Sequence, residues 1–346
     1  MKYYDDKPIN PREYIYINGL GFANNLPSIK EKQLLKSYSC MAGVSIILMY
    51  FLSFFGHMTL TSLLGRTLFR FFPFLSSDFV YYIGYIGEIL TYLISILLPF
   101  FLYTKILGMP LSVALPFKKT KGKRTLGILG MSMGCSAISV IATAMFIRFM
   151  NVAGFDVYAS TSSIPSDLKG ILMYAAFSIV IVAFVEEIVF RGFLLQSLRR
   201  FGDGFAILMT ATIFAAFHAN FYQFPVAFIM GIVLGFSVTV TGSLWTGIFV
   251  HMLHNGYLIV TGLMQENLTD DQFMLFICSL FAIYIVISII SLINLAKKSD
   301  YIFDLDTGKT ICTIGQKTAI YFTTFPMILV IAFIIMRTLS YVHFRF

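Results

Sequence analysis

Phe184-Val185-Glu186-Glu187-Ile188-Val189-Phe190-Arg191-Gly192-Phe193 sets two carboxylates and a guanidinium inside a stretch that carries no other charge from Gly170 to Leu198. A run of this length reads as a membrane-crossing helix, because about 20 apolar residues rising 1.5 Å each span a ~30 Å hydrocarbon core. A charged side chain near the middle of such a helix costs roughly 2.5–3.5 kcal/mol on insertion scales. Three of them in six positions are tolerable only if they pair, and groups of this kind mark a functional site by default.

The rest of the chain supports the same setting. Of its 346 residues, 58% are hydrophobic and only 12% charged, and the mean hydropathy is +0.82, far outside the soluble globular range. Apolar stretches long enough to cross the bilayer lie near 38–56, 80–104, 125–149, 170–198, 204–223, 224–241, 244–262, 272–296 and 318–336. The fold class is therefore all-α, a polytopic membrane helical bundle of about eight to nine transmembrane helices. Four regions are expected: an N-terminal tail (1–37), N-terminal transmembrane helices (38–169), a membrane core holding the charged run (170–262) and C-terminal transmembrane helices (263–346).

Orientation follows from the basic loops. The richest, Lys118-Lys119-Thr120-Lys121-Gly122-Lys123-Arg124, is expected in the cytoplasm together with Arg199-Arg200, Lys297-Lys298 and the N-terminus, while acidic Glu266 to Asp271 falls outside. The net charge of +8 is explained by these loops lying beside anionic lipid, which leaves no reason to invoke a nucleic-acid partner. No charged-then-apolar leader with a small-residue cleavage site precedes the first span, so the first 36 residues read as a cytoplasmic tail. Cys40, Cys135, Cys278 and Cys312 lack paired spacings and read as buried apolar thiols. Gly130 with Gly134, and Gly231 with Gly235, repeat at the four-residue spacing that lets membrane helices approach closely.

Within the charged run, Glu187 and Arg191 are four apart and share a helix face, whereas Glu186 is rotated by about 100° and is available for chemistry. Arg191 alone could instead snorkel to the interface. The glutamates cannot, because Phe193, Leu194, Leu195 and Leu198 extend the apolar pattern beyond them, and Glu186 lies about 24 Å along a helix that begins at Gly170. The next span supplies Phe214-Ala215-Ala216-Phe217-His218, and the seventh supplies His251-Met252-Leu253-His254-Asn255, so three of the five histidines lie in apolar segments. A lone membrane histidine is more often an interhelical hydrogen-bond partner than a catalyst. Three histidines recurring beside buried glutamates carry more: Glu186 and His218 could share and activate a water, with His251 and Asn255, one turn apart, donating to an oxyanion.

In this order the three segments resemble the motifs of the membrane-embedded CAAX protease and bacteriocin-processing (CPBP, or Abi) family: a double Glu with Arg four after the second, Phe-x-x-x-His, and His-x-x-x-Asn. The resemblance covers about residues 170–260. It implies an intramembrane endopeptidase acting on a membrane-associated peptide or protein, with catalytic Glu186, His218, His251 and Asn255. Glu187, Arg191 and Phe214 would support the site, and His254 is an additional histidine that the motif does not define.

The chain has no His-Glu-x-x-His run, so a metal-independent, glutamate-type mechanism is expected, with zinc held by Glu186, His218 and His251 as the alternative. Signatures of serine and aspartate intramembrane proteases are also missing from the sequence. A different class, a non-catalytic scaffold or a proton-coupled transporter, would also use buried carboxylates and histidines. No second copy of the charged segments exists, however, as an internally repeated transporter would have. The expected location is the plasma membrane of a bacterium.

Overall fold

The structure is a computed structural model and describes residues 14–17, 21–24, 27–62, 69–71, 77–158, 164–298, 304–308 and 310–344. Among the described residues the longer helices are α1 (Pro27–Ser62), α2 (Ser77–Ile106), α3 (Gly122–Val152), α4 (Leu168–Phe201), α5 (Asp203–Phe217), α6 (Phe224–Thr241), α7 (Leu244–Asn267), α8 (Asp270–Lys298), α9 (Ile314–Phe322) and α10 (Phe325–Leu339). Among the described residues seven are long and apolar enough to cross a membrane, or eight if α9 and α10, bent by 77°, count as one broken span. The chain is a polytopic all-α membrane protein.

Two compact units are formed, Met1–Ala114 with Lys309–Ile331 and Leu115–Gly308 with Ala332–Phe346. In the first, α1 packs along α2 and against α9. Thr313 opens α9 with a reciprocal capping box to Gln316, the Thr-x-x-Gln pattern that satisfies two helix-end donors at once. Glu31 on α1 accepts from the backbone N–H groups of Ile311 (2.7 Å) and Cys312 (3.2 Å). Burial first, and then the Glu31 charge, push the Cys312 thiol up from its ordinary value, so this cysteine is a structural thiol. An antiparallel pair, β1 (Tyr14–Ile17) and β2 (Gly21–Asn24), lies in the region expected to be a cytoplasmic tail.

The second unit holds the expected site. Gly130 and Gly134 do bring helices together: a Cβ at either would meet Ser291 or Ser288 of α8 at 2.1–2.5 Å, and the α3–α8 pairing depends on their absence. Gly231 plays the same part between α6 and α5, where an added Cβ would lie 2.9 Å from the Ala211 backbone. Ile128, Met131, Met230, Leu234 and Val250 form a core shared by α3, α6 and α7. The basic loop is fastened to the start of α7, since Pro116 O accepts from Leu244 N (3.0 Å) and Lys118 O from the Ser243 hydroxyl (2.5 Å). Outside the helices, β3 (Phe155–Val157) pairs with β4 (Val342–Phe344).

Candidate active site

Helix α4 is not uniform. Around the α-helical turn Ala183–Glu186 it widens into π-helical stretches at Ala176–Val182 and Glu187–Leu194. Such stretches are uncommon and gather at functional sites, because the wider turn frees backbone groups and re-aims side chains. Two freed carbonyls are satisfied from outside the ladder, Ser178 O by the Asn255 amide (2.8 Å) and Arg191 O by the Gln196 amide (3.1 Å).

Arg191 does not snorkel. Its side chain is 0% exposed, as is that of Glu187, and Nη1 donates to Glu187 Oε1 at 2.8 Å. Nη2 donates to Gly231 O (3.2 Å), and the guanidinium lies over the Phe214 ring, 4.3 Å from its centroid. A desolvated guanidinium over an aromatic face gains more than an exposed one, so Phe214 is part of the cradle for the charge.

Glu187 Oε1 also accepts from His251 Nδ1 at 3.0 Å. Because this carboxylate is already the acceptor for Arg191, the shared proton sits on Nδ1, and Nε2 is the nitrogen left for chemistry. Nε2 lies 3.8 Å from Glu186 Oε2, with both side chains nearly fully buried. That separation is too long for a direct hydrogen bond, yet short enough for both atoms to touch one water set beside them. Glu187 Oε2 faces Gly247 instead, where an added Cβ would stand 2.8 Å away. Gly247 is thus the residue whose smallness lets Glu187 reach His251; its place four before His251, on the same face of α7, is the sequence signal for it.

His218 occupies the end of α5. Its Nδ1 lies 2.9 Å from Phe214 O, and a carbonyl only accepts, so Nδ1 carries the proton and Nε2 keeps its lone pair. The Phe-x-x-x-His spacing is the spacing of this bond. The Phe214 ring further makes edge contacts with His218 (5.1 Å) and His251 (5.8 Å), which places it between the two imidazoles. The span expected over 204–223 ends early, at Phe217, because Ala219 takes a left-handed conformation at φ 49°. For a non-glycine residue this costs about 1–2 kcal/mol. Asn220 holds the turn by accepting from Gln223 N at 2.8 Å.

The remaining expected residues are directed elsewhere. Asn255 shares the His251 side of α7, but one of its amide hydrogens is committed to Ser178 O. His254 turns to α3: Ser136 donates its hydroxyl to Ser132 O (3.0 Å), so its oxygen accepts from His254 Nδ1 (3.1 Å). Glu186, Glu187, Arg191, Phe214 and His251 thus form one buried cluster, joined by His218 through Phe214. Among the described residues no three His, Cys, Asp or Glu side chains converge on a metal-sized site.

Fold and cluster together define a class, polytopic all-α membrane proteins with a buried glutamate–arginine–histidine cluster. Residues 168–257, about a quarter of the chain, match the family model described as type II CAAX prenyl endopeptidase Rce1-like. Over this α4–α7 segment the chain is similar to the type II CAAX prenyl endopeptidases. No curated protein and no solved structure matches it.

Proposed function

We propose that this protein is a metal-independent intramembrane endopeptidase in which Glu186 activates water within the cluster just described. The attacking water gives a proton to Glu186 while its oxygen bonds to the scissile carbonyl carbon. The C–N bond of the tetrahedral intermediate then breaks, and the same proton passes to the leaving amine. His218, with its Nε2 lone pair open, orients the water beside Glu186. In this role His251 is the imidazolium, with its Nδ1–H held by Glu187, and its Nε2–H donates to the oxyanion together with the second amide hydrogen of Asn255.

The assignment rests above all on the chain Arg191–Glu187–His251–Glu186. A carboxylate fixes one imidazole nitrogen so that the other meets a second carboxylate, which is the orienting logic of catalytic triads built from different parts. The positive-inside rule favours a cytoplasmic position for the basic loop at 118–124, and with it for the end of the unit where α7 begins. The substrate class is a peptide or protein at the bilayer. Membrane peptidomes of cells carrying wild-type protein or Glu186→Gln test the proposal: new peptide termini present only with the wild type support it, and identical peptidomes refute it.

A further inference from the structure

Two side-chain amides pin helix α4, one on each side of the turn Ala183–Glu186. Asn255 does so before the turn, at Ser178 O, and already has a part in the proposed chemistry. Gln196 does so after it, and no step of that chemistry uses it. In an α-helix Arg191 O would accept from the N–H four residues on, that of Leu195. Here Leu195 N–H goes to Phe190 O and Gly192 O instead, and the Gln196 side chain turns back to donate from Nε2 to Arg191 O at 3.1 Å. The amide can sit only one way round, because the Arg191 carbonyl only accepts and the Arg199 guanidinium, with Nη1 3.4 Å from Gln196 Oε1, only donates. Arg199 is held in turn by the buried Asp203 carboxylate, at 2.7 Å from Nε and 3.3 Å from Nη2, and Asp203 also accepts from Asp306 N at 3.2 Å.

The π-helical stretch Glu187–Leu194 begins where the α-helical turn carrying Glu186 ends. A residue gained or lost from its wider turn rotates one side of the helix against the other by about 100°. On one side stand the two glutamates whose aim sets the 3.8 Å from Glu186 to His251 Nε2 and the 3.0 Å from Glu187 to His251 Nδ1. On the other stands Gln196, anchored to the α4–α5 corner through Arg199 and Asp203. Resting on the endopeptidase reading, we infer that Gln196 is a positioning residue, whose amide holds α4 in the π register that sets Glu186 and Glu187 against His251.

The test uses purified full-length protein in lipid, with a peptide identified from the membrane peptidome as substrate. Gln196→Met keeps an unbranched side chain of similar length but has no donor. Hydrogen exchange over residues 187–198 should rise by about tenfold or more, with residues 224–241 unchanged, as expected when a local hydrogen bond is lost. Turnover should fall by about tenfold or more with KM within about twofold, since a misaimed group costs the transition state rather than binding. Gln196→Glu keeps the shape; its ionised carboxylate cannot donate to Arg191 O, whereas the protonated group can. Its turnover relative to wild type at the same pH should therefore be low at neutral pH and climb as the pH falls toward about 4–5. Unchanged exchange or full turnover in Gln196→Met, a change in KM alone, or a flat pH ratio in Gln196→Glu would each overturn the inference. Cleavage by Glu186→Gln at the wild-type rate would instead refute the endopeptidase reading, and the exchange of residues 187–198 would still decide whether Gln196 holds the turn.

Discussion

Replacing Arg191 by Leu tests whether the charged run is a buried, paired device. In the folded protein the guanidinium is 0% exposed and holds Glu187 Oε1 at 2.8 Å, Gly231 O at 3.2 Å and the Phe214 face at 4.3 Å. Leucine fills part of the space but leaves the Glu187 carboxylate buried with His251 as its remaining partner, and Gly231 O without this donor. Breaking a buried ion pair from one side costs about 3–5 kcal/mol, because the surviving charge stays desolvated. The expected readout is a thermal midpoint lowered by on the order of 5–10 °C in detergent or lipid. Glu187→Gln in the same chain removes the stranded charge, so the double variant should recover part of the loss, the non-additivity expected of residues in contact. An Arg191→Leu protein as stable as wild type, or a double variant no more stable than the single, would refute the buried pairing.

Further outcomes follow from the same geometry. Gly247→Ala places a methyl group 2.8 Å from Glu187 Oε2 and 2.6 Å from a Val238 methyl, so cleavage should fall by tenfold or more, on the order of a misplaced catalytic group, while insertion persists; unchanged cleavage would detach Glu187 from the mechanism. Exhaustive chelation should leave peptide cleavage intact and purified protein should carry no stoichiometric transition metal. One equivalent of zinc, with activity restored by zinc after chelation, would reverse the mechanistic assignment. With native cysteines removed, Thr120→Cys should be protected from an impermeant thiol reagent in intact cells and Asn267→Cys should label; the reverse pattern would invert the molecule.

Helices and charge pairing were legible in the sequence because both depend on spacing along one segment. Apolar runs mark the spans, and the i,i+4 separation of Glu187 and Arg191 anticipates their bond. The assembly of the site was not, because it depends on which faces of different helices meet. Nothing in the motif spacing indicates that Glu187 also grips His251, or that the Phe214 ring stands between His218 and His251 over Arg191. Nor does the spacing reveal that Asn255 spends a hydrogen on a π-helical carbonyl. The early end of α5 is equally hidden, since Ala219 is a good helix former held left-handed by its surroundings. The β1–β2 pair did leave a signal, Asn18-Gly19 between Tyr14-Ile15-Tyr16-Ile17 and Gly21-Phe22, a hairpin-turn dipeptide that the polar character of the tail obscures. The loop between those strands lies outside the described residues.

The central claim is that Glu186 drives hydrolysis of a peptide bond within the membrane. Purified wild-type protein and Glu186→Gln, each in lipid with a peptide identified from the membrane peptidome, can be compared in water enriched in oxygen-18. Wild type is predicted to release a product whose new C-terminal carboxylate carries one heavy oxygen from solvent, and Glu186→Gln, equally folded, to release none. Heavy-oxygen product formed at the wild-type rate by Glu186→Gln would contradict the account.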